Sequence, residues 1–224
     1  IPCLDVSAAC TGFVAVVTLA RSLISSRAYP NVLVVGAEVL SSFTDYSDRN
    51  TCVLFGDAAG AALLRPGTEA NQGILDCYLG ADGSDPEVLI LPSSGSRLPV
   101  SEQTVRDKLH YLKMRGKELY RFAVPKMAEL VEQAAQKLSI KPADFDLIIP
   151  HQVNLRMLEA AADRLGLPMD KFFINLDRYG NTSAASIPLA LDEARRSGRI
   201  KPGHLVTMPG FGAGLTWGYI TVRF

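Results

Sequence analysis

Three side chains, those of Cys10, His151 and Asn181, have types and settings that could carry out thiol chemistry. Cys10 lies in the motif DVSAACTGF, whose small residues fit a strand-to-helix turn that a substrate can approach. At the first turn of a helix, unpaired N–H groups and the helix dipole favour a thiolate, so we expect a lowered pKa for Cys10. The alternative is a small core residue, the usual role of a free cysteine. We assign that alternative role to Cys3, Cys52 and Cys77.

His151 directly follows a predicted strand at residues 145–150, so its ring should point into the crevice at the strand end. Ligands of open α/β sheets bind at that edge. The alternative is a purely structural histidine, which is how we interpret His110 and His204. The sequence has no further ligands at regular spacing that would make a metal site, so we expect no metal.

Asn181 lies in YGNTSAAS, at a second strand-to-helix turn, where asparagine is also a common helix N-cap. A glycine-rich run, GFGAG, spans residues 210–214. A strand and not a helix is predicted after this run, which disfavours a phosphate or dinucleotide loop. Glycines instead allow a backbone N–H to approach a reacting oxygen, as an oxyanion hole requires.

Composition excludes several classes of function. The 23 basic and 23 acidic residues cancel, so no overall field attracts nucleic acid or a membrane surface. Apolar runs such as residues 13–20 are far shorter than the roughly 20 residues of a membrane span. The four cysteines form no CxxC pair, which favours a reducing, cytoplasmic environment.

The elements that must position these side chains alternate between strands and helices. The hydrophobic pattern predicts helices at residues 9–26, 154–165 and 183–197, and one near 119–138 that kinks or begins at Pro125. It predicts strands at 2–6, 31–36, 52–56, 58–65, 145–150, 172–176, 204–209 and 214–224. Residues 66–105 form an excursion rich in Gly, Pro and Ser. The alternation indicates a layered α/β fold.

The start and end of the chain share an order of elements that predicts an internal repeat. Strand 2–6, its helix and strand 31–36 match strand 172–176, helix 183–197 and strand 204–209. We therefore expect two repeats, at residues 1–116 and 117–224, with the turns of Cys10 and Asn181 side by side. The first repeat has no counterpart of residues 117–172, so we expect it to be truncated at its N-terminus.

Four motifs, DVSAACTGF, PHQVNLRM, YGNTSAASIPLAL and GFGAGLTWG, together resemble β-ketoacyl-acyl-carrier-protein synthase III of the thiolase superfamily. The resemblance covers essentially the whole chain. It implies a duplicated α/β/α/β/α fold that lacks roughly the first hundred residues of a complete enzyme. It also implies a homodimer without a cofactor, whose substrates are acyl-CoA and malonyl-acyl-carrier protein.

The resemblance implies a role for each matching residue. Cys10 would be the acylated nucleophile, while His151 and Asn181 would bind the malonyl thioester carbonyl. The backbone N–H groups of Cys10 and Ala213 would form the oxyanion hole, although the family often has glycine at the latter position. The residues implied at the coenzyme A tunnel are Arg49, Phe55, Met114, Gly116 and Asn154. Those implied in carrier-protein docking are Lys113, Arg115 and Arg156.

Residues 106–121 hold six Lys/Arg and two Asp/Glu, a local charge of +4 in a neutral chain. Such a segment could steer an acidic carrier protein. The alternative is an amphipathic helix with a solvated basic face. Two other functions remain open: a type III polyketide or specialised acyl-priming synthase with the same three residues, and a non-catalytic relative that binds the carrier protein.

Overall fold

The computed structural model describes residues 1–69 and 71–224. The helices are α1 (Gly12–Ser25), α2 (Glu102–Arg106), α3 (Gly116–Lys137), α4 (Leu155–Leu165), α5 (Leu176–Tyr179) and α6 (Ser186–Arg196). The strands are β1 (Val32–Val39), β2 (Asp57–Leu64), β3 (Gly73–Ala81), β4 (Leu89–Ile90), β5 (Lys113–Met114), β6 (Leu147–Ile148), β7 (Leu205–Gly212) and β8 (Thr216–Arg223). Among the described helices, none is long and apolar enough to cross a membrane.

Two sheets and two pairs of helices form successive layers. The larger sheet has the strand order β3-β8-β7-β6, in which only β6 and β7 run parallel. An antiparallel pair, β1 and β2, forms the second sheet. Helices α1 and α6 pack between the sheets through Phe13 and Ile187, while α3 and α4 cover the other face of the larger sheet through Leu130 and Leu158. The predicted layered α/β architecture is therefore confirmed.

Residues 9–64 and 183–223 each contain a 3₁₀ turn, a helix and an antiparallel pair of eight-residue strands, in that order. Each turn begins with a residue in the left-handed region, Ala9 (φ 46°) and Ser183 (φ 49°). The first residue of α1 packs closely against the second turn, since a Cβ added to Gly12 would lie 3.0 Å from that of Ala184. From the helices onward this order agrees with the predicted repeat, but its two opening strands, 2–6 and 172–176, are not formed. The boundary at residues 116 and 117 stays a prediction.

Helix ends follow the local sequence well. Helix α4 stops where Gly166 adopts φ 65°, which lets its N–H bond back to carbonyls of the last turn. Helix α6 likewise ends shortly before Gly198. The helix expected to kink or begin at Pro125 instead starts at Gly116 and continues through that proline.

Several predicted strands are wrong. Residues 2–6 are irregular and exposed, because no described segment lies beside them to accept the backbone hydrogen bonds of a strand. Residues 52–56 form turns rather than the first half of a hairpin, and β2 pairs with β1 instead. Of residues 172–176, only Phe172 makes a bridge, to Ile148.

Two further expectations about strands are corrected by their pairing. The predicted excursion at residues 66–105 contains β3, a nine-residue strand that pairs along β8. Strand β1, which the apolar run at residues 31–36 would place in the interior, covers the core with one face only; Leu33 and Val35 on its other face are exposed. In that strand every second side chain points away from α1.

Candidate active site

A cavity of about 330 Å³ opens where the two 3₁₀ turns, β7 and the helices α3 and α4 meet. Its wall includes Cys10, His151 and Asn181, which are at least 30 residues apart in every pairing along the chain. The remaining lining is mostly apolar. The apolar and aromatic lining residues are Leu54, Phe55, Leu89, Met114, Leu119, Tyr120, Val153, Met157 and Phe211.

Cys10 lies in the 3₁₀ turn Ala9–Thr11, immediately before α1 and not within its first turn. The turn is fixed by Thr11, whose hydroxyl bonds the carbonyl oxygen of Ala8 (2.6 Å) and lies 2.7 Å from the hydroxyl of Thr216. These bonds join the cysteine turn to the start of β8.

Burial raises the pKa of the Cys10 thiol to about 11; a hydrogen bond from the Ser183 hydroxyl lowers it and the Glu38 carboxylate raises it further. The expectation of a resting thiolate is therefore wrong. Burial destabilises the thiolate by more free energy than the start of the helix can stabilise it. At neutral pH Cys10 therefore carries its proton.

The end of β7 lies directly against the cysteine backbone. A Cβ built on Gly212 would lie 2.7 Å from the Cys10 nitrogen, so a side chain does not fit here without a shift of the turn. Gly212 itself lines the cavity. Ala213, the next residue, is half-buried outside the lining, and its proposed N–H role stays a prediction.

His151 follows β6, and its backbone N–H donates to the carbonyl of Pro209 (2.9 Å) in the neighbouring chain segment. The ring is 1% exposed and packs edge to face on Phe211. Its Nδ1 lies 2.7 Å from the hydroxyl oxygen of Ser186. Burial lowers the pKa of His151 to about 3, so the imidazole is neutral at neutral pH. Nε2 remains available to a ligand in the cavity.

Asn181 is held by its own backbone and by one side-chain bond. Its N–H donates to the Leu54 carbonyl (2.8 Å), and its carbonyl accepts from the Gly56 N–H (2.9 Å). The side-chain Oδ1 accepts from the Ser183 N–H (2.9 Å) in an Asx turn just before the second 3₁₀ turn, whose N-cap is Thr182 and not Asn181. This contact occupies one end of the amide, and Nδ2 is left as a donor on a residue that lines the cavity.

The other expected substrate contacts divide into two groups. Phe55, Met114, Gly116 and Asn154 line the cavity, whereas Arg49 is exposed and its neighbour Asn50 lines the cavity instead. Several lining residues were missed, although they flank recognised motifs. Val153 and Met157 lie four residues apart on either side of the start of α4, so helical spacing could have identified them.

The residues expected to dock a carrier protein differ in their position relative to the cavity and in their ion pairing. Arg156 is exposed and lines the cavity at the start of α4, but Lys113 and Arg115 do not line it. Arg115 forms an ion pair with Asp85. In addition, Arg106 pairs with Glu102 and Lys108 with Asp45.

These three acidic partners lie outside residues 106–121, so they reduce the local charge there from +4 to about +1. The segment is also no single helix, because α2, β5 and the start of α3 divide it. Within residues 1–69 and 71–224, no group of three or more His, Cys, Asp or Glu side chains could hold a metal ion.

The layered, duplicated α/β fold around this cavity is that of the thiolase-like proteins. A solved β-ketoacyl-[acyl-carrier-protein] synthase III from Thermus thermophilus is 41% identical, with a TM-score of 0.90 over 99% of this chain and 67% of that one. The priming β-ketosynthase from the R1128 polyketide biosynthetic pathway is 35% identical, with a TM-score of 0.85 over 98% of this chain and 64% of that one.

Residues 4–83 match the family profile described as 3-oxoacyl-[acyl-carrier-protein (ACP)] synthase III, and residues 135–224 match that of its C-terminal part. The β-ketoacyl-[acyl-carrier-protein] synthase III of Clostridioides difficile is 49% identical over 220 residues, 98% of this chain and 66% of the relative. The chain belongs to the 3-oxoacyl-[acyl-carrier-protein] synthase III family. It spans about two thirds of the length of the relatives it matches.

Proposed function

We propose that this protein catalyses the decarboxylative condensation of an acyl-CoA primer with malonyl-acyl-carrier protein, giving a 3-oxoacyl-acyl-carrier protein that initiates fatty acid synthesis. The observation that carries the proposal is the cavity shared by one thiol, that of Cys10, and two neutral side chains that can donate hydrogen bonds, those of His151 and Asn181. Family membership supports the same chemistry.

In the first half-reaction, the Cys10 sulfur attacks the carbonyl carbon of the acyl-CoA thioester. A new carbon–sulfur bond forms at Cys10, the bond to coenzyme A breaks, and the cysteine proton leaves with the coenzyme A thiol. Because burial keeps Cys10 protonated at rest, proton loss accompanies the attack. The apolar lining suits an acyl chain and keeps water from the acyl-enzyme.

In the second half-reaction, malonyl-carrier protein loses carbon dioxide, and the electron pair of the broken bond moves onto the thioester as an enolate. The enolate oxygen accepts hydrogen bonds from His151 Nε2 and Asn181 Nδ2. Its carbon attacks the acyl group on Cys10. Backbone N–H groups of Cys10 and Ala213 then stabilise the tetrahedral oxyanion until the Cys10 sulfur departs as a thiolate, which takes up a proton from solvent.

The test is a direct assay of the purified protein with acyl-CoA and malonyl-acyl-carrier protein. We expect release of carbon dioxide and a 3-oxoacyl product on the carrier, both detectable by mass spectrometry and isotope labelling. Absence of any acylated protein and of carbon dioxide release would favour the non-catalytic relative instead.

A second function is favoured by the likeness to the polyketide priming ketosynthase. The resemblance implies the same three side chains for such an enzyme, so the site alone does not separate the two pathways. The two pathways can be separated by comparing the reaction rates with fatty acid and polyketide carrier proteins as acceptors.

We further propose a homodimer in the cytoplasm; the four cysteines are free thiols, which suits a reducing compartment.

We propose that an acidic carrier protein docks beside the cavity entrance at Arg156, an exposed cation that lines the cavity. Arg156→Glu should lower the rate with malonyl-carrier protein roughly tenfold, because it repels the partner during encounter. Acylation by acyl-CoA should hardly change. The measurement is the steady-state rate of each half-reaction at low and high salt, since screening should reduce the difference between variant and wild type.

Arg164→Glu is the matched control for this charge reversal. Arg164 is exposed on the same helix, about 12 Å further along α4 and outside the cavity lining. Equal losses in both variants, or a loss that salt does not alter, would argue against docking at Arg156.

A further inference from the structure

The hydrogen-bond partner of the buried His151 ring decides what its other nitrogen can do. Nδ1 lies 2.7 Å from Ser186 Oγ, and both residues are 1% exposed, so water does not compete for this contact. A neutral imidazole carries one N–H. If Ser186 donates to Nδ1, the proton of the ring is on Nε2; if Ser186 accepts, Nε2 has a lone pair instead.

The remaining contact of Ser186 distinguishes these two arrangements. Its hydroxyl oxygen also accepts from the backbone N–H of Gln152, at 3.4 Å. Within residues 1–69 and 71–224, Ser186 Oγ makes no other hydrogen bond. If it accepted from both neighbours, its own hydrogen would be buried without an acceptor, which costs roughly 1–3 kcal/mol. A hydroxyl that donates to Nδ1 satisfies every group.

From this geometry we propose that Ser186 is a positioning residue that holds His151 as the tautomer with hydrogen on Nε2, aimed into the cavity. The inference rests on the proposed function, in which that N–H binds the enolate oxygen. Asn181 is oriented by the same segment, because the Ser183 N–H occupies its Oδ1 and leaves Nδ2 as the donor. Residues 181–186 therefore orient both donors of the site.

The first test is nuclear magnetic resonance of the protein labelled with ¹⁵N-histidine, recorded without substrate. Three histidines are present, and the His151 signals are those missing from His151→Gln. We expect the pattern of hydrogen on Nε2 in the wild type and a mixture of tautomers, or the other tautomer, in Ser186→Ala. A wild-type signal with hydrogen on Nδ1 would overturn the proposal, as would an unchanged tautomer in Ser186→Ala.

The second test separates the half-reactions. Ser186→Ala should lower malonyl decarboxylation about tenfold or more, while acylation of Cys10 changes less than about twofold. Ser186→Thr keeps the hydroxyl and should restore the tautomer; Ser186→Cys, a weaker donor, is the substitute if the threonine variant does not fold. Thr221→Val removes another fully buried hydroxyl, remote from the ring, and should leave both rates unchanged.

The two tests also distinguish this inference from the proposed function. A wild-type protein with hydrogen on Nε2 but without decarboxylation would overturn the function and leave the role of Ser186 intact. Normal decarboxylation with hydrogen on Nδ1 would leave the proposed reaction standing, but it would overturn the role of Ser186 together with the donor role of His151 Nε2.

Discussion

Cys10→Ala is expected to abolish acyl transfer from acyl-CoA, by at least about three orders of magnitude, because among the described residues no other thiol lies in the cavity wall. The measurement is the mass of the intact protein after incubation with acyl-CoA, in which the wild type gains one acyl group. The substitution removes one buried sulfur beside α1, so the thermal midpoint should fall by only a few degrees.

Cys77→Ala is the matched control, since Cys77 is partly buried on β3 but outside the cavity. It should acylate like the wild type, and peptide mapping should place the acyl group on Cys10 in both proteins. Stoichiometric acylation of Cys10→Ala would exclude Cys10 as the nucleophile.

His151→Ala and Asn181→Ala are each expected to lower malonyl decarboxylation about 100-fold, which corresponds to the loss of roughly 3 kcal/mol from one hydrogen-bond donor to the enolate. Acylation of Cys10 should remain measurable in both variants, because neither side chain forms the bond to the acyl group. The two half-reactions are followed separately, by release of labelled carbon dioxide and by intact mass.

His204→Ala serves as the control, because His204 lies outside the cavity lining. For Asn181, the Ser183 N–H also loses its acceptor, so circular dichroism must show that the turn and helix α6 persist. Condensation at the wild-type rate in either variant would remove that residue from the proposed site.

The sequence predicted best those elements whose hydrophobic spacing and end residues all lie within one short segment. Helices α4 and α6 each have apolar residues at helical spacing and a glycine past the end, and both were predicted nearly to the residue. Strand β3 was missed for two reasons. Gly, Pro and Ser residues around it dominated the local composition, and its partner β8 is over 130 residues away in the sequence. Pairing with so distant a strand cannot be predicted from the residue pattern of β3 itself.

The residues of the candidate site were recognised from motifs, but their electrostatic state was not. A helix start predicts a thiolate at Cys10, whereas the packed turn that buries it exists only after α1, β7 and the second repeat assemble. The same holds for the ion pairs of Arg115 and Lys108, whose acidic partners are 30 and 63 residues away. Such partners are set by tertiary structure.

The burial of Cys10 also bears on how the protein withstands oxidants. Peroxides and disulfides react with thiolates, while a protonated thiol in an apolar setting is nearly inert. With its pKa raised to about 11, only about one Cys10 in ten thousand is ionised at pH 7. Exposed Cys3 is the more accessible sulfur. Without a bound substrate, the site of the proposed reaction therefore keeps Cys10 in a form that resists sulfenic acid formation and mixed disulfides.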